Sequence, residues 1–250
     1  MPKQGEIDYL KKIGEEGTKL ALNKPFSDDD CGGYLMELGA IMSLFPPPPA
    51  RLLDLGCGTG WTSCFFAKRG YEVIGQDISA DMITQANINK NNWGIKNLHF
   101  IVSDYEDMNF DSEFDCAVFF DALHHAVNEE DAIRMVYKAL KPGGICITSE
   151  PGIGHKKAQS AIDAMKNYGV TEKDMPPAKI IKAGKKASFG IFKIYPHSKH
   201  LNIAIYRNFG KIARFNFIKK FLRFNFIRSL AAIFLIIFYK RYDGIVLMVK

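Results

Sequence analysis

No apolar stretch in this 250-residue chain is long enough to span a bilayer. The longest, Leu230 to Tyr239, has ten residues where a span needs about 20, and Arg228 blocks its extension upstream. The amino-terminal stretch carries Asp8, Glu15 and Glu16 and lacks the apolar core of a secretory signal. Cysteine is sparse as well. The five (Cys31, Cys57, Cys64, Cys116 and Cys146) are odd in number and contain no C-x-x-C pair. That disfavours a zinc ribbon or a disulfide framework and favours a reducing cytoplasm. Cys116 and Cys146 lie in apolar runs and read as small core side chains. The most telling absence is of acid: from Met175 to Tyr242 there are 15 Lys or Arg and no Asp or Glu. The other 182 residues hold 18 basic and 27 acidic side chains, a net charge of −9. An acidic body and a basic block are expected, with an anionic partner for the block.

What is present centres on Leu52-Leu53-Asp54-Leu55-Gly56-Cys57-Gly58-Thr59-Gly60. An apolar run opens into a loop with Gly at every second position, then into a helical pattern over 61–69. Such glycines let a ligand lie against the main chain, and a strand running into them at the carboxyl edge of a parallel sheet is a nucleotide-site geometry. The dinucleotide fingerprint G-x-G-x-x-G fails, because its third Gly falls at Trp61.

The chain is long enough for one domain with a full core and an elaboration. Residues 1–50 read as a helical cap: Tyr34, Leu35, Leu38, Ile41, Met42 and Phe45 recur at spacings of three and four. Asp28-Asp29-Asp30 marks a helix start and reads as a solvated cap rather than a metal site, and Pro46 to Pro49 end the helix. Strand-like runs follow at 51–55, 72–76, 98–102, 116–120 and 145–149, with helical patterns between. Ser79 and Asn128 are N-cap residues for two of these helices, each followed by acid in the first turn. Pro142-Gly143-Gly144 turns the chain into the fifth strand. A parallel sheet with helices on both faces is expected, its ligand outside the strands' carboxyl ends.

The residues at those ends fall in a recognisable order. Asp77 closes the second strand, Asp104-Tyr105 follow the third, and Phe114 to His125 carry the fourth. Leu140-Lys141-Pro142-Gly143-Gly144 precede the fifth. With the glycine loop, these five motifs over 51–151 resemble the class I S-adenosylmethionine-dependent methyltransferases. The resemblance implies a Rossmann-like, doubly wound seven-stranded α/β sheet in the order 3-2-1-4-5-7-6. Its core would be 51–196 and 243–250, with the last strand at 244–249. It implies S-adenosyl-L-methionine as cofactor, held by Asp54, Gly56, Cys57, Gly58, Gly60, Trp61, Asp77, Ile78, Met82, Asp104, Tyr105 and Phe120. Asp77 would accept from the ribose hydroxyls and Asp104 from the adenine amino group. Asp54 has a second reading, in which it orients the glycine loop without touching ligand.

Methyl transfer needs an aligned nucleophile about 3 Å from the sulfonium methyl and, for a hydroxyl or carbon acceptor, a general base. The candidates in decreasing order are His125, Asp121, Glu150 and His155; no metal ligand set is expected. One of His124 and His125 also fits a purely packed role. A helical segment over 156–168, a second short helix and a strand over 188–195 should follow. The block 197–242 then intervenes before the last strand, mixing Arg207, Lys211, Arg214, Lys219, Lys220, Arg223 and Arg228 with Phe209, Phe215, Phe217, Phe221, Phe224 and Phe226. It reads as a helical lid over the substrate, with contact to an anionic membrane surface as a second reading and nucleic acid as the least favoured. The expectation is methyl transfer to a small-molecule or glycan acceptor, at a hydroxyl, by a cytoplasmic protein that can lie peripherally at a membrane. Two alternatives stand: a catalytically silent cofactor-binding module docking on a partner, and an RNA methyltransferase.

Overall fold

The structure, a computed structural model, describes residues 3–198, 202, 230, 234 and 238–250. Two helices come first, α1 (Gln4–Leu22), broken at Gly14 where φ is 71°, and α2 (Cys31–Leu44). Then β1 (Arg51–Leu55), α3 (Trp61–Arg69), β2 (Glu72–Asp77), α4 (Ala80–Asn92), β3 (Leu98–Val102) and β4 (Phe114–Phe120) alternate. After them come α5 (Glu129–Ala139), β5 (Leu140–Ser149), α6 (Gln159–Tyr168), α7 (Pro177–Lys186), β6 (Ile191–Pro196) and β7 (Gly244–Val249).

The seven strands form one sheet in the order β3-β2-β1-β4-β5-β7-β6. β1 to β5 are parallel, and β7 runs antiparallel to both β5 and β6. This is the Rossmann-like order expected of the sequence. β1 and β4, fully interior, bury Leu52, Leu53, Leu55, Val118 and Phe119 completely, which is why they read as mainly apolar runs, each with one Asp. One core layer lies under α5 and α7 (Phe114, Leu123, Ile133, Val136, Ile180, Met248). The other lies under α2 and α3 (Leu38, Ile41, Phe66, Tyr71, Ile147). Cys57, Cys64, Cys116 and Cys146 are buried and all five cysteines are free thiols.

Several boundaries differ from the sequence expectation for local reasons. β4 starts two residues early, because Phe114 already pairs with Leu140. β5 runs through Pro142-Gly143-Gly144, where Gly143 takes φ of 76° and its N–H reaches the carbonyl of Lys250. α6 starts at Gln159, since 155–157 make a separate tight turn. β6 starts at Ile191, because Ser188 adopts a left-handed φ of 78°. α2 does follow the three aspartates, but Asp30 makes no side-chain cap; Asp28 Oδ1 instead accepts from the Asp30 N–H at 2.8 Å. Both other N-caps form: Ser79 Oγ accepts from Met82 N–H and Asn128 Oδ1 from Glu130 N–H.

The proposed lid lies mostly outside the described residues, including Arg207, Lys211, Arg214, Lys219, Lys220, Arg223 and Arg228. Its two ends are described. Pro196 pairs with Gly244, and buried His197 Nε2 lies 2.8 Å from Asp243 Oδ1. His197 Nδ1 meets Glu37 Oε1 of α2 at 2.5 Å, and the same oxygen accepts from Ser149 Oγ at 2.7 Å. α2, the end of β5 and both ends of the basic block thus meet at one buried polar point. No helix among the described residues is long and apolar enough to cross a membrane.

Candidate active site

In this sheet order the chain's direction of winding reverses between β1 and β4, and a crevice opens there at the strands' carboxyl ends. The glycine loop lines it. Gly56 takes φ of 67°, and a Cβ there would stand 2.7 Å from the Ala122 Cβ, so only glycine lets the loop pass the end of β4. Asp77 Oδ2 accepts from the Gly58 N–H and Oδ1 from the Ser79 N–H, both at 2.9 Å. One carboxylate thereby ties the loop to the start of α4. Burial raises its pKa, against those amide bonds.

Two adjoining cavities flank the loop. One, of about 310 Å³, is lined by Gly56, Gly58, Asp77, Ile78, Met82, Asp104, Tyr105, Asp121 and His125, among others. The second, of about 480 Å³, shares Gly56, Gly58, Met82 and Asp121 and adds Cys57, Trp61 and Phe120. Ten of the twelve residues expected to hold cofactor therefore face one cavity or the other. Asp54 and Gly60 face neither. Asp54 is fully buried, with Oδ2 accepting from Thr62 Oγ1 at 2.7 Å and Ser63 Oγ at 2.6 Å. Burial pushes its carboxyl up to about 6 despite those two hydroxyls. It orients the first turn of α3 through side-chain hydroxyls and lines neither cavity. Gly60 points inward, where a Cβ would meet Phe100 at 2.4 Å.

The four expected base candidates also divide. Asp121, which holds a left-handed φ of 50° just past β4, lies on both cavity walls, and His125 lies on the smaller one. Glu150 is withdrawn from both. Its Oε1 accepts from the Ala122 and Leu123 N–H groups, and its Oε2 from the N–H and Nδ1 of His124. Burial would raise the Glu150 carboxyl, but the His124 ring and the amides outweigh it and hold it low. Glu150 therefore anchors the turn that carries His124 and His125. His155 lines neither cavity; its Nε2 lies 2.6 Å from Glu172 Oε2. His125 Nδ1 lies 2.7 Å from the Thr171 carbonyl oxygen. Burial opposes its charge, yet Glu6 beside the ring raises its pKa to about 9.

Sequence reasoning missed the wall opposite the loop. α1 folds across the mouth and contributes Lys3, Glu6 and Tyr9, while Val170 and Glu172 come from the chain between α6 and α7. Lys3 Nζ pairs with Asp104, and also with Glu106 Oε1 at 3.0 Å. Asp104 Oδ1 accepts from the Glu106 N–H, so the carboxylate expected to meet adenine already shares a cation. Glu6 Oε1 accepts from the Thr171 N–H at 2.7 Å, and Ser79 Oγ donates to the Ile7 carbonyl at 2.9 Å. Nothing in the spacing of residues 3–9 marks them as part of a site, because their partners lie about 70 to 165 residues away.

A glycine loop, an acid ending β2 and a second acid after β3, set around a crevice beside β1 and β4, define a nucleotide-cofactor site of the class I methyltransferase type. A family model described as a methyltransferase domain matches residues 48–193, more than half of the sequence. The chain belongs to this methyltransferase family. Among curated relatives, the ubiquinone biosynthesis O-methyltransferase of Hydrogenovibrio crunogenus is 32% identical over 114 residues, covering 45% of this chain and 47% of the relative. The tRNA 5-carboxymethoxyuridine methyltransferase of Escherichia coli (strain K12) is 29% identical over 112 residues, covering 44% and 43%. The matches thus span less than half the length of these relatives. The structure of phosphoethanolamine N-methyltransferase 2 of Haemonchus contortus in complex with S-adenosyl-L-methionine superposes with a TM-score of 0.65. It is 18% identical and covers 99% of this chain and 58% of that one, a likeness of fold.

Proposed function

We propose that the chain binds S-adenosyl-L-methionine in the crevice beside the glycine loop and transfers its methyl group to a hydroxyl of a small polar acceptor such as a glycan. The observation that carries this is the convergence of Gly56, Gly58, Asp77, Asp104 and Asp121 on one cavity system. A nicotinamide cofactor has use for Asp77 but not for Asp104. The acceptor oxygen attacks the methyl carbon as the carbon–sulfur bond breaks; the sulfonium becomes a neutral thioether, and the hydroxyl proton passes to a base. Asp121 fits that role best, since its carboxylate lies where the two cavities meet, whereas His125 spends Nδ1 on the Thr171 carbonyl. The protein supplies alignment and a proton acceptor, and the cofactor supplies the electrophile.

The acidic and imidazole groups on the smaller cavity (Glu6, Asp121, His125, Glu172) favour a hydroxyl-rich substrate over an apolar ring beside the cofactor. A second reading, an RNA acceptor, draws on the tRNA-acting relative and on the basic block after Met175. Incubating extracts and purified RNA separately with methyl-labelled cofactor distinguishes them. Label in a small-molecule or glycan fraction supports the first reading, and label confined to RNA overturns it. No label in either, with cofactor still bound, leaves a silent binding module.

A further inference from the structure

At the edge of the smaller cavity, three imidazoles and a carboxylate converge from three separate loops. His124 and His125 come from the turn after β4, His155 from the loop after β5, and Glu172 from the chain before α7. One donor atom each from His124, His125 and Glu172 lies within 4.8 Å of the others. The rings of His124 and His125 are 4.0 Å apart at their centroids, and those of His124 and His155 are 5.1 Å apart.

The hydrogen bonds behind the cluster fix which nitrogens are left. His124 Nδ1 meets Glu150 Oε2 at 2.7 Å, on a carboxylate that also accepts from three backbone N–H groups. That oxygen can only accept, so His124 Nδ1 carries the proton. His125 Nδ1 meets the Thr171 carbonyl, also an acceptor only, so it too is protonated. With Nδ1 committed in this way, Nε2 is the atom of each ring at which an ion can take the place of a proton. Anchoring of Nδ1 by a buried carboxylate or a carbonyl is the arrangement that orients imidazole ligands in metal sites.

His124 Nε2 faces Glu172 Oε2 at 3.6 Å. That is too long for a hydrogen bond. It matches the separation of about 3.3–3.6 Å between two ligands of a tetrahedral ion with bonds of roughly 2.0–2.2 Å. His155 Nε2, 2.6 Å from the same Glu172 oxygen, holds that carboxylate in place. We propose that His124 Nε2, His125 Nε2 and Glu172 form a site for a divalent transition-metal ion of the zinc type, with His155 as the positioning partner of Glu172. Two imidazoles and one carboxylate with a fourth position open is the donor set of catalytic zinc. His125 and Glu172 both line the smaller cavity, so the open position faces into that cavity, beside the crevice that holds the cofactor in the reading above. An acceptor hydroxyl bound there loses its proton more readily, to Asp121. That last role rests on the function proposed above; binding of the ion does not.

The test uses tag-free, full-length protein stripped with a chelator. Zinc is titrated by competition calorimetry, and cobalt(II) serves as a visible-absorption probe of coordination. One equivalent should bind with Kd below about 1 μM, and cobalt should give the intense visible bands of a four-coordinate ion. Glu172→Gln and His125→Gln should each weaken zinc binding by at least about a hundredfold, and His155→Gln by about tenfold or more. Circular dichroism checks that each variant is folded. Should the two ligand variants fail to fold, His155→Gln, on a partly exposed loop residue, still decides. Zinc binding weaker than about 10 μM in the wild type, or unchanged in the folded variants, overturns the proposal. S-adenosylhomocysteine is titrated into the same preparations. Its binding without zinc binding rejects the metal site alone, and zinc binding without it rejects the cofactor reading alone.

Discussion

Asp54 and Asp77 lie at or near the ends of adjacent strands, yet only Asp77 has atoms on the cavity wall. Asp77 already accepts from two backbone amides, and its remaining lone pairs are what a ribose would meet. Removing it takes away that acceptor and releases the loop. Asp77→Ala should therefore weaken S-adenosylmethionine binding by about tenfold or more, the size of a lost buried hydrogen bond. Calorimetry measures this, and unchanged affinity would count against the assignment. Asp121 makes a different demand. If it takes the acceptor proton, Asp121→Asn should lower turnover by about 10²–10⁴ while cofactor affinity holds. Single-turnover kinetics alongside calorimetry separate the two effects, and a parallel loss of binding would instead make Asp121 a cofactor ligand.

Helix α1 is the element that closes the site. Besides the bonds made by Lys3, Glu6 and Ile7, its far end is held where Thr59 Oγ1 donates to the Ala21 carbonyl and Asn89 Nδ2 to that of Leu22. A cofactor passing through that mouth has to displace part of it, so α1 should set the exchange rate. Glu6→Ala frees the Thr171 amide and should speed cofactor release by about tenfold, a charged hydrogen bond's worth. Stopped-flow dissociation reads this directly; an unaltered rate would show that α1 does not gate. Helix α2 carries a different kind of contact. Burial would raise the Glu37 carboxyl, but the His197 ring, Ser149 Oγ and the Ser198 amide bring it down to about 2. A carboxyl held below its ordinary 4.5 adds stability that is complete above pH 4.5 and disappears as the pH falls toward 2. Glu37→Gln should therefore be less stable than the wild type at pH 7, and the gap should narrow steadily below pH 4.5. Denaturant titrations across that range check it; a gap independent of pH would assign the loss to packing. Asp243, on the far side of His197, is present in both proteins.

For the whole molecule, the sheet was legible because the strands are short, mainly apolar runs set between turn residues. The caps at Ser79 and Asn128 were legible because capping is local chemistry. The glycine loop announced the cavity. The rest was hidden by distance along the chain. Glu37 and His197 are 160 positions apart, and His124 meets Glu172 only because two loops close over one crevice. Glu150 read as a base because an acid after a strand looks the same whether it faces a substrate or three backbone amides. The charge division belongs to this scale too. If the block after Met175 meets an anionic membrane, replacing Lys219, Lys220 and Arg223 with Gln should weaken binding to anionic vesicles by on the order of a hundredfold, at about 1 kcal/mol per basic group. Sedimentation at low and high salt tests it, with cofactor affinity as the control. No binding of the wild type to vesicles would end that reading.

The pairing of Pro196 with Gly244, locked by His197 against Asp243, gives the chain a property of a cassette. The chain leaves the sheet edge and returns to it at one point, where the His197 and Tyr242 ends of the block are tied to Glu37 and to the Ile153 N–H. Closing a longer loop across fixed ends costs only about 0.6 kcal/mol for each doubling of its length. A change in the length of chain between the two anchored ends is therefore a small term beside the bonds that hold those ends. If the block covers the acceptor, acceptor choice and cofactor chemistry can diversify on separate clocks, one written in the segment and the other in the sheet that holds its ends.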